Sequence, residues 1–156
     1  MLALPIDDEK LTTEPLFEEP FVVALPPKHP LCKHRALDMD DLRDHTMLLL
    51  EDGHCLRDQA LDVCRMAAVN ERPGFRATSL ETLRQMVATG VGATLLPTLA
   101  TKLTEPNTNG VVIRKFKGTA PGRTIGLVWR RSSAVDGFLQ SIAKIIKKLP
   151  KNLLKP

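Results

Sequence analysis

The sequence predicts an α/β fold with a largely parallel sheet. Two observations support this prediction. Short apolar runs alternate along the chain with amphipathic segments, and turns containing glycine or proline separate them. The chain has 156 residues, of which 43% are hydrophobic, so it can bury one substantial core in one or two small domains.

The first elements are strands. Leu2–Leu4 is typical of the end of a strand, and Pro15 and Pro20 bracket an extended segment. Residues 21–25 form an apolar run that ends at a proline pair, which predicts a buried strand followed by a loop. Residues 38–42 are rich in aspartate, and they fit a single helical turn with acids at its N-terminus.

The segment around Cys55 joins a strand to a helix. Residues 47–50 form an apolar run that predicts a buried strand, and Asp52-Gly53 is a turn signal. Beyond Cys55 the spacing of apolar residues becomes helical. The residues that show this spacing are Leu56, Ala60 and Val63. Cys55 is therefore expected at a helix N-terminus, directly after a buried strand.

The second half of the chain alternates in the same way. Residues 70–74 are expected to be a loop and 75–77 a short strand. Either Thr78 or Ser79 fits a capping box for the next helix, which ends at Gly90. The remaining elements are a strand at 92–97, a polar loop at 101–110, strands at 111–113 and 124–130, and a helix at 135–149.

The last helix is amphipathic and basic. Its apolar side is expected to pack on the sheet, and its lysines suit a helix C-terminus. The apolar residues are Phe138, Leu139, Ile142, Ile145, Ile146 and Leu149.

Cys55 has the surroundings of a reactive thiol. Unpaired N–H groups and the helix dipole favour a thiolate at a helix N-terminus, and His54 and Arg57 add nearby basic groups. Asp58 could orient His54 or accept a proton, although its charge opposes the thiolate.

Cys64 follows Cys55 by nine residues. On one unbroken helix this separation is a rise of ~13.5 Å, and the two sulfurs face opposite sides. A disulfide needs Cα atoms roughly 4.4–6.8 Å apart, so a bond would require part of the helix to unwind. This is the outline of a redox switch. The alternative, that both cysteines are ordinary buried residues, stays open on spacing alone.

Composition excludes several classes of protein. Three cysteines are an odd number and do not indicate a secreted disulfide framework. The first residues do not read as a signal peptide, and no run is long enough to span a membrane. The net charge is only +4, which predicts at most weak attraction to nucleic acid. We therefore expect a cytoplasmic protein, in which a disulfide would be transient.

A second group of reactive residues lies between residues 28 and 35. It contains two histidines, His29 and His34, together with Cys32. Basic neighbours repel a cation, and a zinc site needs four ligands in the right geometry, so no metal site is predicted. Cys32 is expected to be an exposed bystander in the redox chemistry, although its basic neighbours could still make it reactive.

The residues around Cys55 also resemble a known family. The sequence Leu-Leu-Glu-Asp-Gly-His-Cys-Leu-Arg-Asp-Gln-Ala at 49–60, followed by Cys64, is similar to the redox motif of peroxide-sensing transcription activators of the LysR type. Residues 75–84 and 123–128 match the same family. Twelve consecutive residues around a cysteine form a specific signal.

The resemblance implies a more specific fold. It implies Rossmann-like subdomains of the periplasmic-binding-protein type, with two crossing strands between them. Residues 14–121 would be the second subdomain, and residues 1–13 and 122–156 would be end pieces of the first. The DNA-binding domain of the family is expected to be absent from this chain.

The resemblance also implies a mechanism. In the family, peroxide oxidises the cysteine that matches Cys55, and the cysteine that matches Cys64 resolves the product to a reversible disulfide. This change switches the transcription of oxidative-stress genes. His54 and Asp58 match residues beside the peroxide pocket, and Arg57 matches a basic residue of the same turn.

The implied partners follow from that mechanism. They are hydrogen peroxide, a second copy of the chain, DNA through the absent domain, RNA polymerase, and thioredoxin or glutaredoxin as reductant. The second copy would form a dimer, and the full-length protein a tetramer. No cofactor, metal or membrane is expected.

Two alternative functions remain. The same thiols could serve a thiol peroxidase, which would need a complete pocket and an efficient reductant. The cleft between the subdomains could instead bind a small molecule, as in other effector domains. Gly74 stands where many relatives carry a histidine, so the shape of the transition is not fixed by the resemblance.

Overall fold

The computed structural model describes residues 1–53, 55–102, 110–148 and 151–154. The predicted polar loop falls mostly on residues 103–109, and His54 and Leu149 also lie outside the described residues. The strands are β1 (Leu2–Leu4), β2 (Leu11–Leu25), β3 (Ala36–Leu37), β4 (Thr46–Leu50), β5 (Asn70–Ala77), β6 (Thr94–Pro97), β7 (Val112–Phe116) and β8 (Gly122–Arg130). The α-helices are α1 (Cys55–Met66), α2 (Leu80–Ala88), α3 (Thr98–Lys102) and α4 (Asp136–Ile146), and 3-10 turns form at Pro30–Lys33, Asp40–Leu42 and Lys151–Leu154.

The long strand β2 organises the sheet. Its first part pairs antiparallel with β8, from Leu11 opposite Arg130 to Pro20 opposite Gly122, with an irregularity after Pro15. Its second part pairs antiparallel with β6 and β7. We call the β2–β8 pair the crossing ribbon. β1 adds to its outer edge, antiparallel to β8.

The sheet is mixed rather than largely parallel, which corrects one part of the predicted fold. β3 and β7 are parallel, and so are β4 and β5. Met47 also forms a parallel bridge with Ala93. β2 is antiparallel to each of its three neighbours, β6, β7 and β8. The α/β class itself is confirmed.

Two buried clusters cover the two faces of the sheet. Phe21, Val23 and Leu25 point to the cluster that also contains residues of α1, whereas Val22 and Ala24 point to the cluster under α2. This alternation follows from the two-residue period of a strand. Both faces of β2 are covered at residues 21–25, and this part of the strand is a continuous apolar run without alternating polar residues.

Several predicted boundaries needed correction. β5 begins at Asn70, so the predicted loop at residues 70–74 is strand. The structure selects Ser79 as the cap of α2, since its hydroxyl accepts a hydrogen bond from the Thr82 N–H at 3.1 Å. The short helix α3 was not predicted, because a single turn after a proline has too few residues to show a periodic pattern.

α4 packs less completely than its sequence predicted. Ala143 is buried, but Phe138 and Ile145 are 66% and 67% exposed. The prediction that they pack on the sheet is therefore wrong for these described residues. Among the helices that the structure describes, none has the length and apolar content needed to cross a bilayer.

Candidate functional site

The site is built where β4 leads into α1. Residues 47–50 of β4 are buried, and Gly53 in the following turn has φ +93°, a conformation that glycine adopts without strain. α1 then begins at Cys55. The predicted order of buried strand, turn and helix is confirmed. The dipole of α1 stabilises negative charge at its N-terminus.

Cys55 is exposed and lines an open cavity of about 390 Å³. The cavity lies where the crossing ribbon meets the rest of the sheet. Glu19 from β2, Pro97 from β6 and Arg123 from β8 contribute to its wall, together with Leu56 beside Cys55. A small polar molecule can therefore reach the thiol from solvent.

Cys64 has the opposite environment. It is 3% exposed and packs in the core with Ala60, Val63 and Ala67. Burial, with a smaller effect from the negative charge of Glu71, raises the pKa of the Cys64 thiol to about 11. Cys64 is therefore a protonated thiol at neutral pH and a poor nucleophile until its surroundings change.

The two cysteines are at opposite ends of one helix. Both are free thiols, and α1 is unbroken from Cys55 to Met66. The predicted rise of ~13.5 Å between them therefore applies, and it exceeds the Cα separation that a disulfide allows. A bond between them requires α1 to rearrange.

Arg57 lies on the first turn of α1, and groups of β4 and β5 bind its guanidinium. Its side chain is buried, and its Nη1 donates to the Leu50 carbonyl at 2.8 Å. The same guanidinium makes two 2.9 Å hydrogen bonds to the Glu71 carboxylate and lies 2.9 Å from Asp52. These contacts tie Arg57 to β4 and β5, and its effect on the Cys55 thiol stays a prediction.

Two predicted site residues remain, Asp58 and His54. Asp58 is exposed on the first turn of α1, where a carboxylate suits the helix dipole. His54 is outside the described residues, so its pairing with Asp58 stays a prediction.

Arg123 is a site residue that the sequence reasoning did not identify. It lines the cavity with Cys55, and its Nε and Nη2 each lie 2.8 Å from Oε2 of the buried Glu19. Its Nη1 lies 3.4 Å from Oε1 of Gln59, in the middle of α1. The segment at 123–128 had been noted as family-like, but only the fold brings this residue near Cys55.

The histidine and cysteine group at residues 28–35 has other partners. Nδ1 of His29 accepts from the Leu31 N–H at 3.3 Å, and its ring lies 4.8 Å from that of His45. The Cys32 thiol donates to the Pro26 carbonyl at 3.2 Å. Within the described parts of the chain, no group of three or more potential ligands could hold a metal ion.

Known proteins resemble this chain over nearly its whole length. A family model described as the LysR substrate binding domain matches residues 1–147. The DNA-binding transcriptional dual regulator OxyR of Escherichia coli K12 is 45% identical over 147 residues, which are 94% of this chain and 48% of that protein. The chain thus spans about half the length of the curated relatives that it matches.

Solved structures show the same relationship. The reduced form of the OxyR regulatory domain from Pseudomonas aeruginosa is 35% identical, with a TM-score of 0.78 over 94% of this chain and 70% of that one. A cysteine mutant of Corynebacterium glutamicum OxyR, described as H2O2-bound, is 34% identical, with a TM-score of 0.84 over 98% of this chain and 49% of that one.

Proposed function

This chain belongs to the family of LysR substrate-binding domains, and from that premise we propose that it senses hydrogen peroxide for a transcription activator. The relatives that it matches over about half their length carry the names OxyR and hydrogen peroxide-inducible genes activator. In this proposal Cys55 is the residue that peroxide oxidises, and Cys64 is the residue that resolves the product.

The placement of the two cysteines is the observation that carries the proposal. Cys55 is exposed at the start of α1 and lines an open cavity, whereas Cys64 is buried near the other end of the same helix. A sensor needs one thiol that meets the oxidant and a second that stays out of reach until the fold changes. This arrangement meets both requirements.

The proposed chemistry takes place in two balanced steps. The Cys55 thiolate attacks one peroxide oxygen, the O–O bond breaks, and the departing hydroxide takes a proton, which leaves Cys55 sulfenic acid and water. Cys64 then attacks the sulfenic sulfur, an S–S bond forms, and a second water departs. The two thiols together lose two electrons, and those electrons reduce one peroxide to two waters.

The surroundings favour this order of reaction. The N-terminus of α1 places partial positive charge at Cys55, and the Arg123 guanidinium, paired with Glu19, also lines the cavity. Burial keeps Cys64 protonated, since its pKa is raised to about 11. We assign His54 and Asp58 to the rim of the peroxide pocket, as the family resemblance implies.

The same proposal covers domain organisation and partners. Residues 14–121 form the second subdomain, which carries the cysteines, and residues 1–13 and 122–156 are end pieces of the first. The chain functions in the cytoplasm as part of a homodimer, and of a tetramer in the full-length protein, with α2 in the subunit contact. DNA is bound through a separate domain, RNA polymerase responds, and thioredoxin or glutaredoxin reduces the disulfide.

Peptide mapping of the peroxide-treated chain tests the proposal. Trypsin places Cys32, Cys55 and Cys64 on separate peptides, at residues 29–33, 44–57 and 58–65. Stoichiometric peroxide should join the last two peptides by a disulfide. Cys64→Ser should instead leave a sulfenic acid at Cys55, Cys55→Ser should leave Cys64 unmodified, and Cys32→Ser should behave as the unchanged protein.

Two results would contradict the proposal. The first is Cys32 as the main disulfide partner of either cysteine. The second is oxidation of Cys64 before Cys55. Steady consumption of peroxide with a thioredoxin system, far beyond one turnover per chain, would instead favour a thiol peroxidase.

A further inference from the structure

A buried arginine, Arg57, connects α1 to β4 and β5. Arg57 lies on the first turn of α1, two residues after Cys55. It binds the end of β4 through the Leu50 carbonyl and β5 through both oxygens of Glu71. Two parallel N–H···O bonds between a guanidinium and a carboxylate are stronger and more directional than a single contact.

Two further charges close the cluster. Asp52 accepts contacts from both Arg57 and Arg76, at 2.9 Å and 2.5 Å. Arg76 also lies 3.3 Å from Glu71. Hydrogen bonding to Arg57 is the main reason that the pKa of Glu71 lies below its usual value. We call Arg57, Glu71, Asp52 and Arg76 the latch.

The latch joins the same two segments that a disulfide would join. Arg57 lies two residues after Cys55, and Glu71 follows the connector after Cys64. That connector is tied to Cys64, because Val69 is buried in the same core and its N–H donates to the Cys64 carbonyl at 2.8 Å. A displacement of Cys64 towards Cys55 therefore shifts Glu71 relative to Arg57.

We propose that the Arg57–Glu71 ion pair and the Cys55–Cys64 disulfide are mutually exclusive cross-links. The ion pair holds α1 against β5 in the reduced state, and it must open before Cys64 can reach the oxidised Cys55. Arg57 and Glu71 are thus positioning residues for the second step of the reaction. This inference rests on the proposed function, because it concerns the same two cysteines.

The test measures each step separately in variants of the whole chain. Glu71→Gln removes the charge of the acceptor at nearly constant volume, and Arg57→Lys keeps the positive charge but loses the two-pronged contact. Asp62→Asn is the matched control, since it removes one carboxylate from an exposed ion pair with Arg65 on the same helix. The first step is measured as sulfenic acid labelling in the Cys64→Ser background.

The second step is measured with both cysteines present. Quenched samples give the rate at which peptides 44–57 and 58–65 become linked, and a glutathione redox buffer gives the equilibrium. Glu71→Gln and Arg57→Lys should each shift that equilibrium about tenfold towards the disulfide, as expected for the loss of a charge-assisted hydrogen-bonded pair. The rate of sulfenic acid formation at Cys55 should change by less than about twofold in these variants.

The thiol–disulfide equilibrium distinguishes an effect of the latch from an effect on the pKa of Cys64. Glu71 also raises the pKa of Cys64, so Glu71→Gln can speed closure by making the thiolate more available. At pH 7 Cys64 stays protonated in the reduced chain of every variant, and the equilibrium is then insensitive to its pKa. Arg57→Lys keeps the Glu71 charge, so its effect comes from geometry.

A double variant checks that the two residues act as one unit. Glu71→Gln combined with Arg57→Lys should shift the equilibrium no more than the larger single change, because the pair is already broken. Full additivity would overturn the inference. So would single variants that match Asp62→Asn, or a change in the first step as large as that in the second.

Failure of the inference and failure of the proposed function give different results. If the unchanged chain closes the Cys55–Cys64 disulfide but the latch variants behave like Asp62→Asn, only the latch is refuted. If no chain forms that disulfide, the proposed function fails and the latch fails with it. Fluorescence of the single tryptophan, Trp129, verifies that each variant is folded.

Discussion

The crossing ribbon and the redox segment are held together in different ways. β2 and β8 pair in a long antiparallel ladder from Leu11 opposite Arg130 to Pro20 opposite Gly122. The redox segment, residues 46–77, has a shorter β4–β5 pairing with a register shift after Met47. Much of its remaining cohesion comes from core packing and the latch.

This difference indicates where a chemical signal can act. Backbone ladders resist local change because each bond is supported by its neighbours. The first turn of α1 depends instead on one buried ion-pair cluster, which a change in the position of a few side chains can open. We therefore expect oxidation to change the redox segment and to leave the crossing ribbon nearly as it is.

Damage to the ribbon should have the largest effect on stability and should be independent of redox state. Trp129 in β8 is 8% exposed, and its indole N–H donates to Asp136 of α4 at 2.7 Å. Trp129→Ala should cost about 3–5 kcal/mol of unfolding free energy. Urea unfolding followed by circular dichroism should give the same loss in reduced and oxidised protein.

A control for that measurement is available on the helix that packs on the ribbon. Phe138 on α4 is 66% exposed, and Phe138→Ala should change stability by less than about 0.5 kcal/mol. A Trp129→Ala loss that appears in only one redox state would show that the ribbon takes part in the switch.

Alkaline pH should weaken the redox segment by a smaller amount. The pKa of Cys64 is about 11 in the folded chain, against a reference value of 9.0. Because the pKa of Cys64 is higher in the folded chain than in the unfolded chain, protonated Cys64 favours folding fully below pH 9. This contribution to the free energy of unfolding is lost as pH rises from 9 to 11. The loss should reach about 2–3 kcal/mol.

Unfolding of the reduced chain between pH 7.5 and 11 measures this effect. The difference between the unchanged chain and Cys64→Ala isolates it, since lysines titrate in both. The chain has no tyrosine, so no phenol contributes in this range. Parallel stability curves for the two proteins would mean that Cys64 is not held protonated by burial.

The smallest expected effect is the change in the structure of the crossing ribbon when the unsubstituted chain is oxidised. Trp129 is the single tryptophan, and it reports on β8 and α4. Its emission should shift by only about 1–2 nm when stoichiometric peroxide closes the disulfide, because buried backbone ladders hold its surroundings. Hydrogen exchange should meanwhile increase across residues 55–71, and an equal increase across residues 122–130 would remove the distinction between the two regions.

The sequence determined the local structure of the site. Four apolar residues, Asp52-Gly53 and a helical spacing beyond Cys55 were enough to place the thiol at a helix start, because these signals depend on neighbours in the chain. The twelve-residue family motif is also the basis of the proposed chemistry, and the separation of Cys55 and Cys64 followed from helix geometry.

Only the tertiary structure decided which groups surround the thiols. The sequence placed Arg57 near Cys55 but could not show that its guanidinium binds Glu71 and the Leu50 carbonyl. Arg123 is distant in sequence, and the fold brings it to the cavity that Cys55 lines. The direction of β2 was also decided at this level, because strand order depends on non-local pairing. A guanidinium binds carboxylates more strongly than neutral acceptors. Which carboxylate lies near Arg57 depends on how β4 and β5 pair, and the sequence alone does not give that pairing.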